Sequence, residues 1–487
     1  MISQSPVIEF LAGLTTERLE THISLIFLTD KRVYKLKKAV TLPYVDFSPL
    51  EARRKACEAE IALNRRTAPM LYRRVAAVTR ESDGSLALGG AGEVLDWVVE
   101  MNRFDQDQQL DRVALDKTLI QELADAVVSL HLVAEATVKW GGYGGLLSVV
   151  EGNRESFLQS APVLFAETEI EALTRRSRTE LDRHRELLEE RRRSGKVRRC
   201  HGDLHLGNIC LIGGRPVLFD AIEFSDTIAC IDMFYDLAFL VMDLDRRGLG
   251  EFAALLLSRW LAATGDFGAL PLLPLMLSLR AAIRSHIAGV IGRPEEARAY
   301  FIRAETYLTP KPPRLVAVGG LSGTGKSHLS RKLAPWLGAA PGAVVLRSDV
   351  LRKHLMGVSP ETRLPPSAYG EAVTERVYGL MMSQAEEALR AGQAVIVDAV
   401  SARPEQRAAL SALAARLGVP FTGLWLEAEA EDLRRRIEGR RNNASDATIE
   451  VLDRQLDYDL GPMDWVRIDS SGDKEHTVKK AREVLHV

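Results

Sequence analysis

Apolar and polar residues alternate through residues 21–37, broken at Thr29-Asp30, and this period of two predicts a β-hairpin. Residues 49–66 carry Glu and Arg on one helical face, residues 93–101 read as a strand, and residues 118–132 show helical apolar spacing. Strands first and mostly helices afterwards predict a β-rich small lobe, about 1–105, and an α-rich large lobe, about 106–307. Residues 175–199 mix many arginines with Glu180, Asp182, Glu186, Glu189 and Glu190, which predicts a solvated helix over a nucleic-acid patch. The most apolar run, 269–279, is interrupted by Pro271 and Pro274 and ends at Arg280. It is too short to span a bilayer and reads as a buried helix.

Residues 308–314, LTPKPPR, cannot continue a helix or a central strand, so 308–313 is expected to be a linker between a domain at 1–307 and one at 314–487. Beyond it, apolar strand candidates at 315–318, 344–346, 394–397, 421–426 and 465–468 alternate with helical patterns at 327–337, 350–355, 447–458 and 476–485.

The length of 487 residues suggests two or three domains at roughly 100–200 residues each. A net charge of −2 removes any global case for nucleic acid or an anionic membrane as partner. The four cysteines, Cys57, Cys200, Cys210 and Cys230, form no C-x-x-C pair and read as buried thiols in a reducing compartment. The N-terminus lacks a basic region and a long apolar run, so no signal peptide is expected and the location is read as cytoplasmic. Internal repeats and low-complexity tracts are not evident.

Candidate chemistry is densest at Gly320-Leu-Ser322-Gly323-Thr324-Gly325-Lys326-Ser327, which fits G-x-x-x-x-G-K-[ST] after a strand and before a helix. Backbone N–H groups of such a loop curl around phosphate oxygens, Lys326 reaches the β/γ-phosphates, and the Ser327 hydroxyl holds Mg²⁺. Asp349, at the end of the second strand, is placed to accept a proton from an attacking hydroxyl, or alternatively to cap the following helix. Asp398 ends the third strand as a metal carboxylate. Arg403 follows it as a candidate for substrate or phosphate contact, with a plain surface arginine as the alternative. Arg434, Arg435, Arg436, Arg440 and Arg441 run into Asn442-Asn443-Ala444-Ser445-Asp446, a pattern read as a lid whose arginines, Arg436 and Arg440 among them, close over phosphate. Residues 314–487 resemble the small P-loop kinases that phosphorylate hydroxyls, such as gluconate and shikimate kinases, chloramphenicol phosphotransferase, zeta toxins and polynucleotide 5′-kinase. The resemblance implies an α/β domain with a five-stranded parallel sheet.

A second constellation is His201-Gly-Asp203-Leu-His205-Leu-Gly-Asn208, where Asp203 and Asn208 have the spacing of a kinase catalytic loop. Asp203 is expected to accept the hydroxyl proton and Asn208 to hold Mg²⁺, with Asp220, at the end of an apolar strand, as second metal ligand. A metal site from His201 and His205 would need a helix that Gly202 and Gly207 oppose. HGDLHLGN followed by FD resembles the aminoglycoside phosphotransferase and choline kinase group. Gly202 and Asp220-Ala221-Ile222 fit protein kinases less well. The resemblance implies a two-lobed, protein-kinase-like α+β domain, with a strand lysine on the ATP phosphates and a helix glutamate orienting it. Lys35 and Glu60 are chosen, with Lys37 and Glu58 as alternatives. It also implies an adenine hinge at 97–101. No G-x-G-x-x-G precedes Lys35, and 15–24 is the candidate phosphate loop. Asp236 is read as a brace for the catalytic loop or as a plain helix-start carboxylate.

The pairing as a whole resembles a bacterial family of bifunctional phosphotransferase/ATP-binding proteins. The likeness rests on VYKLKK at Lys35, the DFSPLEARRKACEAE stretch and the ASDA segment. It implies ATP, with GTP as the alternative nucleotide, and Mg²⁺ as cofactors, small-molecule hydroxyls as acceptors, and two active sites. Nucleic acid and membrane are disfavoured as partners, and neither acceptor identity nor oligomeric state follows from the sequence. The competing reading is a polynucleotide- or nucleoside-type kinase in the second half, with a regulatory or inactive first half.

Overall fold

The alternating run at 21–37 forms two antiparallel strands, Ser24–Leu28 and Arg32–Lys37, with Ile26 opposite Lys35. They belong to a six-stranded antiparallel sheet in the order Glu17–Glu20, Ser24–Leu28, Arg32–Lys37, Glu93–Asn102, Tyr72–Arg80, Leu86–Leu88. Period-two patterning gives the sheet two apolar faces. Leu25, Phe27, Leu36 and Val98 pack with Val7 and Leu11 of helix Ser5–Gly13. Val33, Val99 and Met101 pack with Cys57 and Ile61 of helix Leu50–Asn64. Lys35 and Lys37 share the face of Val33, so both reach that second helix.

This computed structural model describes residues 4–15, 17–42, 45–160, 164–439 and 444–487. The chain divides into two compact units, Met1–Ser148 with Arg185–Leu240, and Val149–His184 with Val241–Val487. In the first, helix Lys117–Val133 starts at Asp116, whose carboxylate accepts the Leu119 N–H at 2.8 Å. The hairpin Ile209–Ile212 with Arg215–Leu218 follows the candidate catalytic loop. The expected single solvated helix over 175–199 is instead three elements: helices Glu167–Arg183 and Arg185–Arg193, then strand Val197–Arg199. The charge pattern misleads at Arg191, which is buried and forks onto Asp232 at 2.7 and 2.8 Å.

The second unit carries a five-stranded, all-parallel sheet in the order Val344–Arg347, Val395–Asp398, Leu315–Gly320, Phe421–Glu427, Val466–Asp469. All six residues of the central strand are buried, as expected for a parallel strand with both faces covered. Helix Glu371–Arg390, absent from the sequence reading, packs on the strands Val344–Arg347 and Val395–Asp398. The run at 269–279 splits into a 3₁₀ turn, Phe267–Leu272, and helix Leu273–Val290, so Pro274 starts a helix and does not interrupt one. Among the described residues, Phe267–Val290 is the one segment long and apolar enough to cross a membrane, and 72% of its apolar window is buried as core.

The proline-rich stretch 308–313 lies inside this second unit. Helix Gly250–Thr264 packs on the sheet from before it. Ala254 enters the cluster of Val316, Val318 and Ile396, and the Ser258 hydroxyl accepts the Val345 N–H at 3.0 Å. Glu251 pairs with Arg331 and Lys332 of helix Lys326–Leu333, and Arg259 with Glu361 at 2.9 Å.

Candidate functional site

In the first unit the Lys35 ammonium lies between Glu60, at 3.0 Å, and Asp220. Lys37 lies between Glu60 and Glu223, and its side chain is fully buried. Glu58 points outward to Arg54, 3.0 Å away, so helix Leu50–Asn64 presents Glu60 alone of the two candidates to the lysines. Burial opposes the charge on Lys35, but Asp220 and Glu60 outweigh it and hold its proton well above the usual lysine range. Burial likewise pushes Glu60 up, and the two ammonium groups more than reverse this, leaving it at about 2. Glu223, where burial outweighs the pull of Lys37, is raised.

Asp203 and Asn208 are brought together: the Asn208 amide donates to the Asp203 carboxylate at 2.9 Å and to its backbone carbonyl at 3.0 Å. Asp236 braces this loop, accepting the N–H groups of His201 at 3.1 Å and Gly202 at 2.9 Å. Gly202 has φ +86°, a conformation that favours glycine, and a Cβ there would press on Ile222. His201 is buried and contacts the Phe219 carbonyl at 2.9 Å, while His205 accepts the Gly207 N–H, so the two histidines do not face one site. Asp220 has φ +63°, and its N–H donates to the Tyr72 hydroxyl at 3.1 Å. Such a turn at a non-glycine is sparsely populated and turns the carboxylate toward Lys35. In the expected phosphate loop at 15–24, Glu17–Glu20 is strand and the Ser24 N–H closes a turn on the Thr21 hydroxyl at 3.0 Å, while residue 16 lies outside the described residues. His131, Cys200 and Asp236 place ligand atoms within 4.8 Å of one another. The Asp236 carboxylate already meets two backbone N–H groups and the His131 ring, which makes it a structural brace.

Glu60 yields a prediction about stability. Its folded value lies below its ordinary 4.5, so the stability it contributes is present above about pH 4.5 and is lost as pH falls towards 2. Glu223, shifted the other way, partly offsets this loss. Glu60→Gln is expected to cost about 3–5 kcal/mol at pH 7, because it leaves buried ammonium groups short of a partner. It should also flatten the fall in urea midpoint between pH 5 and pH 3. An unchanged acid limb would refute the assignment.

In the second unit, Gly320, Gly323 and Gly325 have φ of +136°, +94° and +93°. A Cβ on Gly323 would lie 2.9 Å from the Leu433 carbonyl oxygen, and one on Gly320 2.6 Å from that of Leu426. The loop therefore folds only with glycine there. Lys326 donates to the carbonyls of Gly320 at 2.7 Å and Leu321 at 2.9 Å. Ser322, Gly323, Thr324, Gly325, Lys326 and Ser327 line a cleft of about 1470 Å³, together with Asp349, Asp398, Arg403 and Arg436. Asp349 sits in the first turn of helix Ser348–Leu355, past the N-cap position, which Arg347 occupies. Burial and the nearby Asp398 raise its carboxyl against the pull of Arg347, Lys326 and a hydrogen bond from Ser445. Asp398 is 4% exposed, and the Arg347 Nε donates to it at 3.1 Å.

The candidate arginines that are described have partners within the protein. Arg403 pairs with Glu371 at 2.9 Å on the cleft rim, both largely exposed. Arg436 donates to the carbonyls of Ser470 at 2.7 Å and Ser471 at 3.1 Å, and Arg434 pairs with Asp453. Arg440, with Arg441, Asn442 and Asn443, lies outside the described residues. Sequence reasoning missed Glu223, Arg347, Lys353 and Gln455. Glu223, Lys353 and Gln455 are buried and Arg347 is half-buried against Asp398, placements that only the tertiary fold reveals.

Residues 32–272 match the model of a phosphotransferase enzyme family, and residues 315–459 match that of an AAA domain. Uncharacterized proteins of Mycobacterium tuberculosis and Mycobacterium bovis are 28% identical over 486 residues, covering 96% of this chain and 94% of theirs. Among solved structures, a glucosamine kinase is 15% identical, covering 61% of this chain and 76% of its own, with a TM-score of 0.38. A gluconokinase from Sinorhizobium meliloti is 21% identical over 37% of this chain and 94% of its own, with a TM-score of 0.26. The Mycobacterium tuberculosis APS kinase, solved with AMPPNP and APS, is 21% identical over 37% and 100%, with a TM-score of 0.27. The chain thus joins a kinase-like region that matches the phosphotransferase enzyme family over 32–272 to a P-loop region that matches an AAA domain over 315–459, and is an ATP-dependent phosphotransferase.

Proposed function

We propose that the chain is a bifunctional, Mg²⁺-dependent cytoplasmic enzyme that transfers the γ-phosphoryl group of ATP to hydroxyls of small molecules, such as sugars, aminoglycoside-like compounds or related metabolites, at two separate sites. Functionally its halves are 1–307 and 314–487. The observation that carries this is that each unit has its own partly exposed carboxylate in a phosphotransfer setting, Asp203 with Asn208 in one and Asp349 beside Lys326 in the other.

In the first half, Lys35 engages ATP phosphates while Glu60 fixes its position, and Asn208 and Asp220 hold the metal. In the second, the 320–327 loop and Lys326 hold the phosphates, and Ser327 and Asp398 hold the metal. Both donor sets are oxygen-only, which fits Mg²⁺. An Mg²⁺ ion held by these residues would neutralise charge developing on the transferred phosphoryl group. Asp203 and Asp349 each take the proton of an acceptor hydroxyl as its oxygen bonds to phosphorus and the bond to the leaving nucleotide diphosphate breaks. The raised carboxyl of Asp349 suits that role, since a base nearer the working pH accepts a proton more readily. Arg403 and Arg436 are assigned to the acceptor and nucleotide ends of the cleft.

The cleft gives the polynucleotide alternative no uniformly basic groove, since Glu371, Glu375, Glu405 and Asp459 share its lining with Arg352, Arg403, Arg454 and Lys474. Labelled ATP with 5′-hydroxyl oligonucleotides tests it, and transfer of label would revive it. The main reading is tested by a metabolite-library screen for phosphoryl acceptance on the wild type, Asp203→Asn and Lys326→Ala. Each variant should lose one set of products and keep the other. If Asp203→Asn keeps every product, the first half is regulatory or inert.

A further inference from the structure

The first unit buries more charge than one phosphate lysine and its glutamate require. Lys35 and Lys37 stand two residues apart on strand Arg32–Lys37, and Asp220 and Glu223 three apart on the segment that leaves strand Arg215–Leu218. They pair in order, Lys35 with Asp220 and Lys37 with Glu223, as two rungs between strand and segment. Glu60 joins both lysines, through one oxygen at 3.0 Å from Lys35 and the other at 2.5 Å from Lys37. The rungs differ in access. The Asp220 side chain is 41% exposed, whereas those of Lys37 and Glu223 are 0% and 3% exposed, and the Phe47 ring lies 5.9 Å from the Lys37 ammonium. The chemistry assigned above uses Lys35, Glu60 and Asp220 and leaves the inner rung without a role.

We propose that Lys37 and Glu223 are a positioning pair that keeps Glu60 and Asp220 in place while Lys35 exchanges Asp220 for phosphate. The proposal rests on reading Lys35 and Asp220 as the phosphate and metal groups of the first half. On binding of Mg·ATP, Lys35 turns to phosphate and Asp220 to the metal, so the outer rung opens. The inner rung is buried away from both and stays shut, which holds the 220–223 segment on the strand. Lys37 also balances the Glu60 oxygen that Lys35 does not use. Without Lys37, the Lys35 ammonium would be shared among Glu60, Asp220 and Glu223 and drawn inward, away from phosphate. The backbone of the segment is fixed separately, by the Ala221 N–H on the Asn64 side chain at 2.8 Å and the Ile222 N–H on the His201 carbonyl at 2.9 Å. Loss of the inner rung therefore misplaces charge and leaves the course of the chain intact. Lys37 and Glu223 act through Glu60 and Asp220 and do not touch the nucleotide.

Calorimetric titration of Mg·AMPPNP into the full chain carrying Lys326→Ala tests this, the first-half binding being that which a further Lys35→Met abolishes. Folding of the first unit is read from hydrogen-exchange protection of strands Arg32–Lys37 and Glu93–Asn102. Glu223→Asp keeps the charge but draws it back from Lys37 by one methylene. It should keep the protection and weaken Mg·AMPPNP binding roughly 10–100-fold, the usual effect of losing a group that orients a metal ligand. Lys37→Met with Glu223→Met removes both charges and fills the same space, an exchange that buried ion pairs often tolerate. This double variant should also keep the protection yet bind as weakly as Glu223→Asp. A pair that is only structural would give the parent affinity in either variant that keeps the protection, which overturns the proposal. So does a Glu223→Asp chain that loses the protection, since the pair is then a folding element. Glu223→Asp alone decides if the double variant does not fold. No Mg·AMPPNP binding by the parent that Lys35→Met abolishes removes the first-half ATP reading and this inference with it.

Discussion

Asp203→Asn should lower kcat for the first-half products by about 10²–10⁴-fold, the usual contribution of a positioned base, with KM for ATP nearly unchanged. Asn keeps the shape and one acceptor oxygen for the Asn208 amide, now 2.9 Å away, but has no basic oxygen to take the acceptor's proton. The loop should hold its course without the charge. Asp236 grips the N–H groups of His201 and Gly202, the Ile222 N–H donates to the His201 carbonyl at 2.9 Å, and the Asn208 carbonyl accepts from Phe219 at 3.0 Å. A loss in kcat without a matching rise in KM marks an interaction that matters only in the transition state. Steady-state kinetics on a product lost in the variant screen checks this. A kcat within threefold of wild type would remove Asp203 from the chemistry.

Lys326→Ala should cut kcat/KM for the second-half products by about 10²–10³-fold, as expected when one preorganised cation or donor to the reacting phosphoryl group is deleted. The ammonium also bridges the carbonyls of Gly320 and Leu321 across the loop, so the variant loosens the cradle and should weaken ATP binding measured by calorimetry. First-half products should form at the wild-type rate, since Lys35, Glu60 and Asp203 belong to the other unit. If both product sets fall together, the two sites are not independent catalysts.

Much of the fold was legible because its signals are local. The period of two at 21–37, the glycine spacing at 320–327 and the apolar strands around it each depend on residues close in sequence. The choice between Lys35 and Lys37 was not legible, because residues two apart on a strand share a face. Only the positions of Asp220 and Glu223, nearly 190 residues away, give the two lysines different partners. The arginine-rich helix shows the same limit. Its charge run says that the helix is polar, but Arg436 finds the carbonyls of Ser470 and Ser471 through a fold-level approach that spacing does not encode. Lys353 and Gln455 look like solvated helix positions until Asp446 and Ser322 arrive from elsewhere in the chain.

The helix Gly250–Thr264 bears on how such a gene is inherited. It comes from the stretch matched by the phosphotransferase family, yet its Ser258 caps a backbone N–H on the free flank of strand Val344–Arg347, and Ala254 fills part of the sheet's core. Fission of the gene at the proline-rich stretch would give a P-loop product with a bare sheet flank, the kind of surface that recruits other strands and aggregates. Selection against that product would keep the two coding regions fused, so every ribosome that makes one half makes the other in equal number.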